Sequence, residues 1–277
     1  MKHIELEKRG AVGILTISRR ERFNSMDVDT ARDFRKAGLQ LARDRDVRCA
    51  VIRGAGGVFC SGADMKYIRD VRNGGDPSGL GTLGARSTSS YGAVFKQILE
   101  YLHSTISEIR RAPKPFVAAV DGIAAAGGFG LAMCCDLVVA SERATFEWAY
   151  FKTALTGAES STFLLPRLVG FHRAMELAFL SPRLNAREAR DIGLVNRVWP
   201  VEDFERETLE LAQRLADGPT ESYGIAKSHL NHASGMDRLD VHLDRELESL
   251  SRIADGNNFA EGITAFFEKR PARFGKE

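Results

Sequence analysis

Two stretches of small residues carry the chemistry this sequence offers. In the first, the apolar run CAVIRG (49–54) leads to Ser61-Gly62-Ala63, just before a helix start expected at Asp64. In the second, FVAAV (116–120) leads through Asp121-Gly122 into AAAGGFG (124–130), with a helix expected from Gly127 or Gly128. Small residues let a ligand approach the main chain closely. The first N–H groups of a helix lack internal partners and carry partial positive charge. Two such turns aimed at one point would cradle an oxygen that gains negative charge during reaction, each donor being worth roughly 3–4 kcal/mol. Read from the residues alone, tight packing of a Gly/Ala-rich helix on a sheet stays open as the alternative.

The elements that must hold these turns follow from the apolar pattern. HIELEK (3–8) and AVGILTIS (11–18) read as strands around a Gly turn, and 48–53 and 116–120 as buried strands. A helix is expected over 27–46, capped by Asp27, and another over 93–111, ended by Pro113 and Pro115. Residues 70–92 are rich in Gly and Ser and read as a loop or lid. Helical pattern dominates the rest, over 159–168, 172–180, 186–192, 202–216, 220–233, 237–254 and 257–268. Strands in the first half and helices in the second give an α/β fold class. GAGG (54–57) and AGGFG (126–130) do not form the G-x-G-x-x-G fingerprint, which excludes a Rossmann reading.

Composition narrows the class. The 277 residues are 44% hydrophobic and 27% charged, enough for a sizeable core. A formal charge of +2 gives no support for a dedicated nucleic-acid binder. No apolar run is long enough for a membrane span, and MKHIELEKRG lacks the apolar centre of a signal peptide. The cysteines at 49, 60, 134 and 135 have no metal-ligand spacing and suit a reducing, cytoplasmic compartment. Cys60, beside the first turn, reads as a buried packing thiol.

The two stretches, their separation and their order resemble the crotonase (enoyl-CoA hydratase/isomerase) superfamily, over nearly the whole chain. The resemblance implies a crotonase-type spiral of βαβ units over 1–200 and a C-terminal helical trimerisation region over 201–277. It implies a homotrimer or a hexamer, an acyl-CoA substrate, and no cofactor beyond the coenzyme A of that substrate. The main-chain N–H groups of Ala63 and Gly127 would form the oxyanion hole. Arg22, Ser61, Ala63, Asp64, Met65, Lys66 and Ala126 would bind the coenzyme. Phe266 and Lys269 would reach the nucleotide from a neighbouring subunit, Asn24 would lie near the mouth, and 70–92 would cover the acyl pocket.

The resemblance also marks a departure. Hydratases of the superfamily use two glutamates, at the positions held here by Gly130 and Tyr150. Isomerases and dehalogenases carry an acid at the position of Ala158, one residue before Glu159. Glu159 is the carboxylate left to act as base, or it opens helix 159–168 and favours the helix dipole. Trp148, Tyr150 and Phe151 would supply the apolar surroundings that raise a carboxylate pKa. His103 falls where the 4-chlorobenzoyl-CoA dehalogenases have a basic histidine, and FLLPRLVGFHRAMEL (163–177) resembles that subgroup too. The expected function is therefore isomerase or other enolate chemistry, with Glu159 as base and Tyr150 shaping the pocket. The alternatives are a dehalogenase-like or hydrolytic enzyme on an aromatic or cyclic acyl-CoA, using Glu159 and His103, and a non-catalytic acyl-CoA-binding protein.

Overall fold

The computed structural model describes residues 1–72 and 90–275; most of the expected lid, residues 73–89, lies outside the described residues. The chain runs β1 (Ile4–Arg9), β2 (Val12–Ile17), α1 (Val28–Arg43), β3 (Cys49–Gly54), α2 (Met65–Arg72), α3 (Tyr91–Arg111), β4 (Phe116–Val120) and β5 (Ile123–Ala125). It continues through α4 (Gly127–Met133), β6 (Leu137–Ser141), β7 (Thr145–Glu147), α5 (Ser161–Val169), α6 (Phe171–Leu180), β8 (Leu184–Asn185), α7 (Ala186–Asp191) and β9 (Arg197–Trp199). It ends in α8 (Phe204–Asp217), α9 (Thr220–Ala233), α10 (Leu239–Ala254) and α11 (Asn257–Glu268).

The larger sheet has the order β1-β2-β3-β4-β6-β9. β1 and β2 pair antiparallel, and every other pair is parallel. Parallel strands covered on both faces read as continuous apolar runs, because alternate residues go to opposite sides and both sides are dry. That is the case here. Leu15, Ile52, Ala118 and Val138 enter the main core with α1 and α3, while Ile14, Val51, Val117 and Val139 face a second core under α8. Asp27 caps α1 as its sequence position suggests, accepting from the Thr30 N–H at 2.8 Å.

The small sheet β5-β7-β8 has little sequence signal, since its strands are two or three residues long. It nevertheless fixes the site. β5 pairs in parallel with β7, with Ala125 opposite Glu147. α5 begins at Ser161, two residues later than expected, so Glu159 lies outside it. No helix among the described residues is long and apolar enough to cross a membrane.

Candidate active site

The two small-residue turns are stitched together. The Cys60 N–H donates to the Ile123 carbonyl at 3.0 Å, and the Cys60 carbonyl accepts from the Ala125 N–H at 3.0 Å. Gly62 has a φ of +94°, and a methyl group there would lie 3.0 Å from the Ala126 Cβ and 3.1 Å from the Gly127 nitrogen. A methyl on Gly128 would lie 2.0 Å from the Cys60 carbonyl oxygen. The turns approach this closely because side chains are missing where they meet. Ala63 and Gly127 line one cavity of about 470 Å³. Neither N–H donates to an acceptor among the described residues. Two main-chain donors without partners, on residues of one cavity wall, are what an oxyanion hole requires.

Glu159 enters the same cavity through a tight turn. Glu159 and Ser160 both have left-handed backbone, with φ of +50° and +62°. Consecutive left-handed residues with side chains are costly and persist only when the surroundings hold them. Here the Glu159 N–H donates to His103 Nε2 at 3.1 Å, and the Ser160 N–H donates to Glu246 Oε2 at 2.8 Å. The Tyr150 hydroxyl donates to Glu159 Oε2 at 2.5 Å. A methyl on Gly127 would lie 2.8 Å from Glu159 Oε1, so the second carboxylate oxygen lies beside the Gly127 turn. Burial pushes the Glu159 carboxyl up to about 7, against the Tyr150 bond and with help from the Glu246 charge. A carboxylate poised there can take and return protons at neutral pH.

His103, on α3, does not line the cavity. It is 6% exposed, and burial pushes its pKa down to about 4. It is therefore neutral, and because Nε2 accepts from Glu159, its proton sits on Nδ1. Cys60 is a packing thiol: burial pushes it up to about 12, and its sulfur accepts from the Gly62 N–H at 3.4 Å.

A model of the Enoyl-CoA hydratase/isomerase family matches residues 7–277. The chain belongs to that family. It is 31% identical to 4-chlorobenzoyl coenzyme A dehalogenase-2 of Arthrobacter sp, over 96% of this chain and 91% of the relative. It is also 31% identical to 1,2-epoxyphenylacetyl-CoA isomerase of Escherichia coli (strain K12), over 99% and 97%. The crystal structure of an enoyl-CoA hydratase from Mycobacterium avium subsp. paratuberculosis K-10 superimposes with a TM-score of 0.85 at 31% identity, covering 99% of each chain. Relatives of one family at equal identity carry different reaction names, so the site has to separate them.

Within this family frame, the structure brings Arg22, Ser61, Ala63, Asp64, Met65, Lys66, Ala126, Gly127, Tyr150, Glu159 and Phe266 to one cavity. Asp64 is there as a brace. Its carboxylate caps α2 through the Tyr67 N–H at 3.0 Å and pairs with Arg19 and Arg22. Burial works against its charge, but those partners hold it below the usual carboxylate range. Asn24 is fully buried away from the cavity, bridging Arg19, Ala55 and Val58. Phe266, expected at a neighbour's nucleotide, lines the cavity of its own chain. Lys269 is not in that lining and stands with Arg270 at an adjoining surface cavity that shares Lys152 and Phe266 with it. Of the expected aromatic wall only Tyr150 lines the cavity; Trp148 packs behind it with ring centres 4.8 Å apart. The apolar surroundings come instead from Phe95, Leu99, Leu155, Leu250 and Phe267.

Sequence reasoning missed Glu246. Its signal was present: Leu239, Leu243 and Leu250 form the buried stripe of α10, and Glu246 occupies the same stripe. It also missed Glu147, which lines the cavity and pairs with Lys152 and with Arg183 at 3.1 Å.

Proposed function

We propose that the protein is an acyl-CoA enzyme working through a thioester enolate, with Glu159 as its single acid–base group. The chemistry it fits best is a double-bond shift. Glu159 takes a proton from C2 of a 3-enoyl thioester, and the C–H electron pair moves into the C2–C1 bond. The thioester oxygen becomes an enolate oxygen facing the N–H groups of Ala63 and Gly127. The same carboxyl returns the proton at C4, and the double bond comes to rest between C2 and C3. One base that both takes and returns the proton needs no second carboxylate, which accords with Gly130 and Tyr150 at the positions where the hydratase glutamates were expected. The observation that carries this reading is the Glu159 carboxylate itself: Oε2 held by Tyr150, Oε1 beside Gly127, and a pKa near 7.

The dehalogenase-like reading asks for His103 as a base. His103 spends its only basic nitrogen on the Glu159 main chain and lies outside the cavity lining, which weighs against that reading. Mass-resolved product analysis with 2-enoyl, 3-enoyl and 4-halobenzoyl-CoA, run beside Glu159→Gln, tests the proposal. Isomerisation of the 3-enoyl substrate that disappears in the variant supports it. Turnover of the aryl substrate alone, fast hydration of the 2-enoyl substrate, or acyl-CoA binding without turnover each overturns it.

A further inference from the structure

We propose that Glu246 is a positioning residue for Glu159, acting from α10 across the start of α5; this rests on the reading of Glu159 as the base. Glu246 is 5% exposed, and its carboxylate collects the donors that a helix start leaves open. Oε2 accepts from the Ser160 N–H at 2.8 Å. Oε1 accepts from the Thr162 N–H at 3.0 Å and from the Thr162 hydroxyl at 2.5 Å. A residue at the N-cap position of a helix commonly performs this task. Here that residue is Ser160, which is left-handed and makes no side-chain cap bond. The cap is supplied instead from a helix 86 residues away in sequence.

The consequence reaches the cavity. Ser160 cannot leave its left-handed conformation without breaking the bond to Glu246, and Glu159 is the residue before it. His103 grips the Glu159 N–H from α3. The turn is thus held at two consecutive N–H groups by side chains of two different helices. Held this way, Glu159 keeps Oε1 beside Gly127 in spite of the unfavourable backbone. Burial pushes the Glu246 carboxyl up to about 7 as well, and in its ionised form its charge adds to the burial that raises Glu159. The titratable groups facing this pair are Tyr150, His103 and the Cys60 thiol, with His242 at 3.7 Å from Glu246 Oε1.

The test compares the full-length protein with Glu246→Gln, Thr162→Val and Glu159→Gln. Two properties are read: kcat and KM with the 3-enoyl-CoA substrate across pH, and the carboxyl infrared band of Glu159 across pH, assigned by its loss in Glu159→Gln. Glutamine keeps the shape of Glu246 but offers one acceptor oxygen where two are used. Glu246→Gln is expected to lower kcat about tenfold or more with KM nearly unchanged. It should move both the acidic limb of kcat/KM and the infrared titration of Glu159 to lower pH, because a neighbouring negative charge is gone. Thr162→Val should act in the same direction by a smaller amount, and it decides the matter by the same readings if Glu246→Gln does not fold. An unchanged Glu159 titration and acidic limb in the folded variants overturns the proposal, even where stability falls, since that would be a structural role only. If Glu159→Gln keeps full turnover while Glu246→Gln still moves the infrared titration, the positioning role stands and the reading of Glu159 as the base fails.

Discussion

A methyl group at Gly130 would lie 2.6 Å from the Glu159 carbonyl oxygen and 2.8 Å from its Cβ, so the Glu159 turn occupies the space that a side chain at 130 would need. Placing a carboxylate at 130 or at 159 is thus a choice between exclusive arrangements. Gly130→Glu is expected to lose the native activity and to gain no hydratase activity, because the new side chain displaces Glu159; assays with 2-enoyl and 3-enoyl-CoA check both halves. Glu159→Gln should reduce turnover by about 10²–10⁴-fold. On the proposed mechanism Glu159 must be ionised to take a proton, so kcat/KM should rise with pH through about 7. Stability carries the opposite sign. A carboxyl raised from 4.5 to about 7 keeps its proton in the fold over a range where the unfolded chain has released it. Folding therefore loses stability as pH rises from the ordinary carboxyl value to about 7. Glu159→Gln removes that loss, and denaturant unfolding should show the variant more stable at pH 8, by up to about 3 kcal/mol, with a smaller gain at pH 5.

At the scale of elements, the two small-residue turns depend on a few buried contacts beneath them. Arg19 pairs with Asp27 at 2.7 Å and with Asp64 at 2.8 Å, tying the cap of α1 to the cap of α2. Removing one partner of a buried pair leaves uncompensated charge, at a cost of about 3–5 kcal/mol. Arg19→Met should destabilise by that order and loosen the Ala63 turn, seen as a lower Tm together with a lower kcat. Gly128→Ala tests the seam between the turns. Its methyl would meet the main-chain oxygen of Cys60, which cannot swing aside as a flexible side chain can. Thermal unfolding should show a loss of more than about 3 kcal/mol, far beyond the gain alanine normally brings to a helix.

Across the whole molecule, the cavity is walled in part by residues from the far end of the chain. Leu250 comes from α10, and Phe266 and Phe267 from α11, facing turns more than a hundred residues earlier. Phe266 is 57% exposed although it lines the cavity, so it offers an apolar face at the rim. Phe266→Ala is expected to raise KM for an acyl-CoA several-fold and leave kcat nearly unchanged, since a rim contact binds ground state and transition state alike. Steady-state kinetics separate the two effects.

The sequence by itself determined the frame. Apolar runs at 49–54 and 116–120, the Asp27 cap and the C-terminal helical periods are local signals, and each is set by residues near its own element. The close approach of the two small-residue turns was legible too, because it demands small residues and leaves them written in order. What only the tertiary structure decided was the role of each polar side chain around those turns. For Glu159 the sequence left two readings, a base or the first residue of a helix, and the fold puts its carboxylate at the cavity on a left-handed turn held by His103 and Glu246. His103 stood as a base only in the dehalogenase-like alternative, and in the fold its Nε2 accepts from the Glu159 main chain. Whether a carboxylate or an imidazole serves as base, brace or cap depends on desolvation and on partners tens of residues away. No local pattern encodes those distances, and the fold supplies them.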